Sequence, residues 1–325
     1  MTSTALTASS QVVVAHSTDA LATLQDGAYL EQLLLRFAAS QDVAPSSRAT
    51  YLRTVRQFFR WVREQALPLS VLTRVEVLRY REDLLASGMS SLSVGAYLTS
   101  VRRFFAWAEG EKVYPNIARD VKGPKRKQQF RKQALTAAKA KEVLSYQDGQ
   151  GLRDHAMLNL LLRTGLRTIE VIRANVEDIT YKAGTRVLLV HGKGRSERDA
   201  FVILTDTAYQ PIADYLATRG KVKAGEPLFT SHSNNSKGGR LSTRTVSGIA
   251  KQSLRSVGLD SKEYTAHSLR HTTAVTIMRA GGSIEDAQHV LRHSSPATTQ
   301  IYTATIKEEL RLRNSTESLL DGAYA

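Results

Sequence analysis

His267-Ser268-Leu269-Arg270-His271, then Leu291-Arg292-His293, then Tyr302, form the stretch on which the reading of this chain turns. His267 and Arg270 stand three residues apart at the expected start of a helix, so both project from one face. That spacing sets a proton-transfer group beside a guanidinium, whose rigid fork of donors matches the oxygens of a phosphate. Two pieces lie upstream: Arg167 in Thr164-Gly165-Leu166-Arg167-Thr168-Ile169-Glu170, and Lys193 in Gly192-Lys193-Gly194. Taken singly, each residue has an ordinary explanation. His293 alone reads as a structural histidine, Tyr302 alone as a core tyrosine, and His271 as a buttress of its helix.

Other chemistries fit the same residues less well. His267 and His271 have the spacing of two metal ligands on a helix, but no Glu stands between them and an arginine beside the site would repel a cation. No metal is therefore expected. Gly192-Lys193-Gly194 lacks the Gly-x-x-x-x-Gly-Lys-Ser/Thr pattern of a nucleotide-binding loop and falls between two strands, so no nucleotide cofactor is expected either. An ammonium there suits a general acid, because its pKa is tunable and flanking glycines permit a tight turn.

Composition narrows the partner. The 325 residues suffice for two cores, and 42% hydrophobic content marks a globular chain. Lys and Arg number 45 against 30 Asp and Glu, and a net charge of +15 calls for a partner with dense negative charge. Nucleic acid is the leading candidate; an acidic membrane surface is the rival, but no run of about 18 apolar residues exists to span a bilayer. The absence of cysteine removes disulfides and thiolate chemistry and agrees with a cytoplasmic, nucleoid-associated location.

The chain divides into five parts. Residues 1–26, rich in Ser, Thr and Ala, read as a flexible tail. Residues 27–113 are helical: Tyr51, Leu52, Val55, Phe58, Phe59 and Val62 make one apolar stripe, and Val94, Tyr97, Leu98, Val101, Phe104, Phe105 and Ala108 another. Arg53, Arg56 and Arg60 lie opposite the first stripe as a phosphate-facing row or a solvated face. The stretch 56–64 echoes 102–110, with the two tryptophans of the chain matched; either two helical hairpins are related, with breaks near Pro68 and Gly88, or amphipathic helices coincide. Residues 114–135 lose periodicity, carry Lys125 and Arg126 among many basic residues, and read as a linker that lets two domains close on a duplex.

Residues 136–304 follow as a mixed domain. It opens on a short helical segment after Thr136, residues 156–163 are leucine-rich and read as buried, strands 186–190 and 200–204 form a hairpin, and helices are expected at 207–218, 242–257, 268–280, 283–291 and 295–302. The tail, 305–325, keeps apolar Ile306, Leu310, Leu319 and Leu320 among charges. Arg244 and Lys251 join the arginine row as expected DNA contacts.

In this order, the run Arg, Lys, His-x-x-Arg, His, Tyr resembles the tyrosine recombinase, or phage integrase, family. The resemblance covers the whole second domain, and the helical part resembles the family's core-binding domain. It implies a mainly α fold with a small β-sheet: an N-terminal SAM-like bundle and a C-terminal mixed α/β catalytic domain. It further implies that Tyr302 attacks the scissile phosphate and that Arg167, Arg270 and His293 hold the non-bridging oxygens. His267 would assist proton transfer, Lys193 would protonate the leaving 5′ oxygen, and Glu170 would orient the site. A homotetramer on two DNA sites, working through a Holliday junction with accessory DNA-bending or partner recombinase proteins, is the implied assembly, with the tail docking on a neighbouring subunit. The simple two-domain plan resembles the Xer and Cre recombinases. A type IB topoisomerase or a non-catalytic DNA-binding protein are the competing readings. One departure stands out: where many members read Leu-Gly-His, this chain has Arg292, expected to add a phosphate contact while losing the freedom of glycine.

Overall fold

The structure is a computed structural model that describes residues 27–125, 133–149, 151–191, 198, 200–293, 306 and 323. The chain separates into two compact units, with the boundary between residues 128 and 129.

The first unit holds four α-helices among its described residues: α1 (Gly27–Ser40), α2 (Pro45–Glu64), α3 (Arg74–Ala86) and α4 (Ser91–Gly110). The breaks fall where expected, at Pro68 and at Gly88, whose φ of 81 only glycine adopts without strain. Pro45 starts α2, and a Thr73–Glu76 capping box starts α3, with Thr73 N donating to Glu76 Oε2 at 2.6 Å. The two apolar stripes meet in one core. Phe58 packs edge-on against Phe105 at 5.7 Å and Phe59 against Phe104 at 5.2 Å, so the echoed Phe-Phe pairs of α2 and α4 interlock crosswise. Each such ring pair contributes ~0.5–1.5 kcal/mol beyond its burial. Trp61 and Trp107 diverge in use: Trp61 is buried and donates from Nε1 to Asp83 at 2.8 Å, whereas Trp107 is half-buried against Phe37 and Phe104.

The expected linker begins later than the loss of periodicity suggested. Tyr114, Ala118 and Val121 are buried in the core of the helical unit, and Tyr114 Oη donates to Leu69 O. A turn-rich segment buries side chains at no fixed period, which is why it read as a linker.

The second unit contains α5 (Ala137–Asp148), α6 (Leu152–Thr164) and α7 (Thr168–Arg173), then strands β1 (Ile179–Lys182), β2 (Thr185–Val190) and β3 (Ala200–Ile203). Helices α8 (Asp206–Thr218), α9 (Thr243–Ser256), α10 (Ala266–Arg279) and α11 (Ile284–Leu291) complete the described elements. The sheet is antiparallel in order β1-β2-β3. The hairpin of β2 and β3 was expected; β1 was not. It is joined to β2 by Ala183-Gly184, both at positive φ (45 and 77), the geometry that two-residue hairpin loops favour.

Helix α6 is the hub of this unit. It packs against α5, α8 and α10, and Ala156, Met157, Leu158, Leu160 and Leu161 are all buried. A smaller cluster joins α10 to α11 through Ala274, Val275, Met278, Ala287 and Leu291, and Ile306 is buried in it from the same chain. The first apolar residue of the tail thus packs in cis. Leu310, Leu319 and Leu320, and the helix expected at 295–302, lie outside the described residues. No described helix is long and apolar enough to cross a membrane.

Candidate active site

Gly165 closes α6 in the left-handed conformation (φ 60, ψ 27), with its N–H donating to Leu161 O at 3.0 Å. A Cβ at this position would fall 2.5 Å from Leu291 Cδ2. The glycine of Thr-Gly-Leu-Arg therefore lets the turn that carries Arg167 rest directly on the end of α11, which carries His293.

Arg270 binds these two parts together. It is 2% exposed, donates from Nη1 to Gly165 O and from Nη2 to Leu291 O, and so spans the ends of α6 and α11 from within α10. These bonds use two of the five donors of the guanidinium. His267, one turn earlier on the same helix, is exposed, while His271 is fully buried. An open cavity of about 650 Å³ is lined by Arg167, Thr168, Ser247, Lys251, His267 and Arg270, among others.

Arg167 immediately precedes the short helix α7. Its Nη1 lies 2.7 Å from Glu170 Oε1, and its backbone N donates to Glu170 Oε2 at 2.7 Å. Glu170 is 2% exposed. Burial alone would push its carboxyl up, but the charges of Arg292 and Arg167 and the bonds from Arg167 outweigh this and hold it below the usual carboxylate range. Arg292 does not project for phosphate as expected. Its side chain turns inward and reaches Glu170 Oε2 at 3.0 Å, and its backbone takes the left-handed conformation (φ 53, ψ 49).

His293 is buried beside these groups. Burial first, then the charges of Arg270, Arg167, His267 and Arg292, push its pKa down to about 4. At neutral pH it is an uncharged imidazole facing a cluster of guanidiniums. Arg167 and Arg292 share one carboxylate and Arg270 lies beside them, so positive charge is in excess around this open cavity. Such a place stabilises an anion and, more strongly, the extra charge of a pentacoordinate phosphate.

Arg167, Glu170, His267, Arg270 and His293 are thus brought together; Lys193 and Tyr302 lie outside the described residues. Among the expected DNA contacts, Arg53, Arg56 and Arg60 are all exposed on α2. Arg56 is paired with Glu31, and Arg53 bonds to Tyr97 Oη at 3.1 Å. Lys125 and Arg244 are exposed, and Arg126 is outside the described residues. Lys251 is differently occupied: its ammonium donates to the carbonyls of Asp260, Ser261 and Tyr264 at 2.7, 2.9 and 3.3 Å, bracing the loop that leads into α10. Sequence reading missed this latch because a lysine that serves backbone carbonyls looks like any other lysine on a helix.

Residues 133–309 match the phage integrase family, and residues 28–112 match the phage integrase N-terminal SAM-like domain. The chain belongs to the phage integrase family. It is a tyrosine recombinase, an enzyme that breaks and rejoins DNA. Tyrosine recombinase XerC of Pelobacter propionicus is 31% identical over 83% of this chain and 88% of its own length. XerC of Caldanaerobacter subterraneus subsp. tengcongensis is 37% identical, but over 54% of this chain and 48% of that protein, so the chain spans about half of that relative. In fold, the chain is similar to XerH site-specific recombinase bound to its palindromic difH substrate, with a TM-score of 0.70 at 20% identity over 92% of this chain and 88% of that one.

Proposed function

We propose that this recombinase cuts DNA at a specific site through Tyr302. The tyrosine oxygen forms a bond to the scissile phosphorus as the bond to the 5′ oxygen breaks, leaving a 3′-phosphotyrosine. Arg167 and Arg270 neutralise the non-bridging oxygens, and His293 donates an N–H to them as a neutral ring. His267 assists transfer of the tyrosine proton, Lys193 delivers a proton to the departing 5′ oxygen, and Glu170 orients Arg167. The phosphodiester energy stays in the covalent link, so a second 5′ hydroxyl can attack it without nucleotide or metal. Repeated on paired sites by a homotetramer, the step exchanges strands through a Holliday junction, for integration and excision of a mobile element or for resolution of chromosome or plasmid dimers. Accessory DNA-bending proteins or a partner recombinase would direct it.

The observation that carries this reading is the convergence of Arg167, from the start of α7, with His267 and Arg270, from α10, on one cavity, with His293 close enough to feel the charge of all three. The match of residues 28–112 to the family's own N-terminal domain supports strand exchange over a topoisomerase. The test is capture on a pool of nicked duplexes of random sequence, with adducts isolated under denaturing conditions and the bound DNA sequenced. The parent should enrich one duplex; Tyr302→Phe should give no adduct while still binding that duplex. An adduct that persists in Tyr302→Phe would place the nucleophile elsewhere.

A further inference from the structure

We propose that Arg292 is a positioning residue of the reaction: it holds the Glu170 oxygen that the Arg167 guanidinium does not, so that Arg167 can turn to a phosphate while the carboxylate stays in place. This deepens the functional reading above and rests on it.

The backbone is the first indication. Arg292 ends α11 in a left-handed conformation, where glycine is the favoured residue and any side chain is strained. A strained arginine persists where its side chain is held, and here it is held twice. Nη2 lies 3.0 Å from Glu170 Oε2, and Nη1 donates to Val290 O at 2.7 Å. The side chain is only 13% exposed.

The second indication is how Glu170 is shared. One carboxylate oxygen receives Arg167 Nη1; the other receives the Arg167 backbone N and Arg292 Nη2. Two guanidiniums therefore grip one buried carboxylate from two different helix ends. A phosphate entering beside Arg167 would compete with Glu170 for that guanidinium. Were Arg167 the only cation present, its departure would strand a buried negative charge, which is strongly unfavourable. With Arg292 in place the carboxylate keeps a partner, and its grip on the Arg167 backbone N–H still fixes where the arginine starts. The same bridge ties α7 to the turn from which His293 projects, so two phosphate-facing residues are set by one contact.

The proposal is tested with the duplex recovered by adduct capture, in single-turnover cleavage and in binding at fixed salt. Arg292→Gly suits the backbone and should fold well; its adduct should form at least tenfold more slowly, with unchanged affinity for the duplex. Arg292→Lys, which keeps the charge, should recover part of that loss. In a Glu170→Gln background, where no carboxylate needs a partner, Arg292→Gly should add little. Wild-type cleavage by Arg292→Gly, or the same fold-loss in both backgrounds, would overturn the proposal. If the parent forms no Tyr302-dependent adduct, the reading of Tyr302 fails instead. The bridge is then judged by urea midpoints of the two single variants and the double variant: non-additive shifts uphold it, additive shifts overturn it.

Discussion

Replacing Arg270 by alanine should damage the fold of the second unit as much as its chemistry. The guanidinium is 2% exposed and bonds the carbonyls of Gly165 and Leu291, at the ends of two helices. Hydrogen bonds from a charged donor are worth ~1.5–3 kcal/mol each, and their loss leaves two buried carbonyls without these donors. Against this stands relief of repulsion with Arg167 and Arg292, on the order of 1 kcal/mol at a high effective dielectric. The expected net loss is about 3 kcal/mol. Arg270→Lys keeps the charge and reaches one carbonyl at most, so it should lose roughly half as much. The assay can separate the two units, because both tryptophans, Trp61 and Trp107, lie in the helical unit. Urea unfolding followed by tryptophan fluorescence reports that unit, while far-ultraviolet dichroism reports both. The dichroism transition of Arg270→Ala should move to lower urea while the fluorescence transition stays. A second-unit stability within about 1 kcal/mol of the parent would refute the reasoning, since it would mean that those bonds carry no net weight.

Four shorter expectations follow from the same geometry. Gly165→Ala puts a methyl at a positive φ and against Leu291, and should cost about 2 kcal/mol or more in urea unfolding; a neutral result would show that α11 shifts freely. His293 binds its proton less readily folded, at about 4, than unfolded, at 6.5, so stability is fully present above pH 6.5 and declines as the pH falls towards 4. The decline attributable to it is up to about 3 kcal/mol, and His293→Gln should flatten the pH dependence of the urea midpoint in that window. Lys251→Met should slow adduct formation by loosening the loop before α10 while barely changing the salt slope of DNA binding; a slope smaller by about one would instead make Lys251 a phosphate contact. Arg60→Ala, on the exposed face of α2, should lower that slope by about one, and an unchanged slope would remove α2 from the DNA interface.

Much of the fold was legible because its signals are long. Helices α2 and α4 repeat an apolar stripe over several turns, and the buried set, Val55, Phe58, Phe59 and Val62 with Val94, Leu98, Val101, Phe104, Phe105 and Ala108, follows it closely. Short elements escaped. Four-residue β1 gives two alternations at most, and six-residue α7 fewer than two helical turns, too little for either period to show. Tyr114, Ala118 and Val121 escaped because a turn buries side chains by position, with no period. In the site, residue types and their order were readable, but direction was not. Arg292 was expected to face phosphate, and Lys251 DNA; Arg292 turns instead to Glu170, far away in sequence, and Lys251 to the carbonyls of 260–264, in the loop that follows its own helix.

The crosswise Phe58–Phe105 and Phe59–Phe104 contacts bear on how such an enzyme can be re-engineered. All four rings belong to residues between 27 and 125, and none of the chemistry does. A helical unit that closes on its own aromatic lattice is a module: it could be exchanged for another bundle of the same outline while leaving the residues of the second unit's cavity as they were.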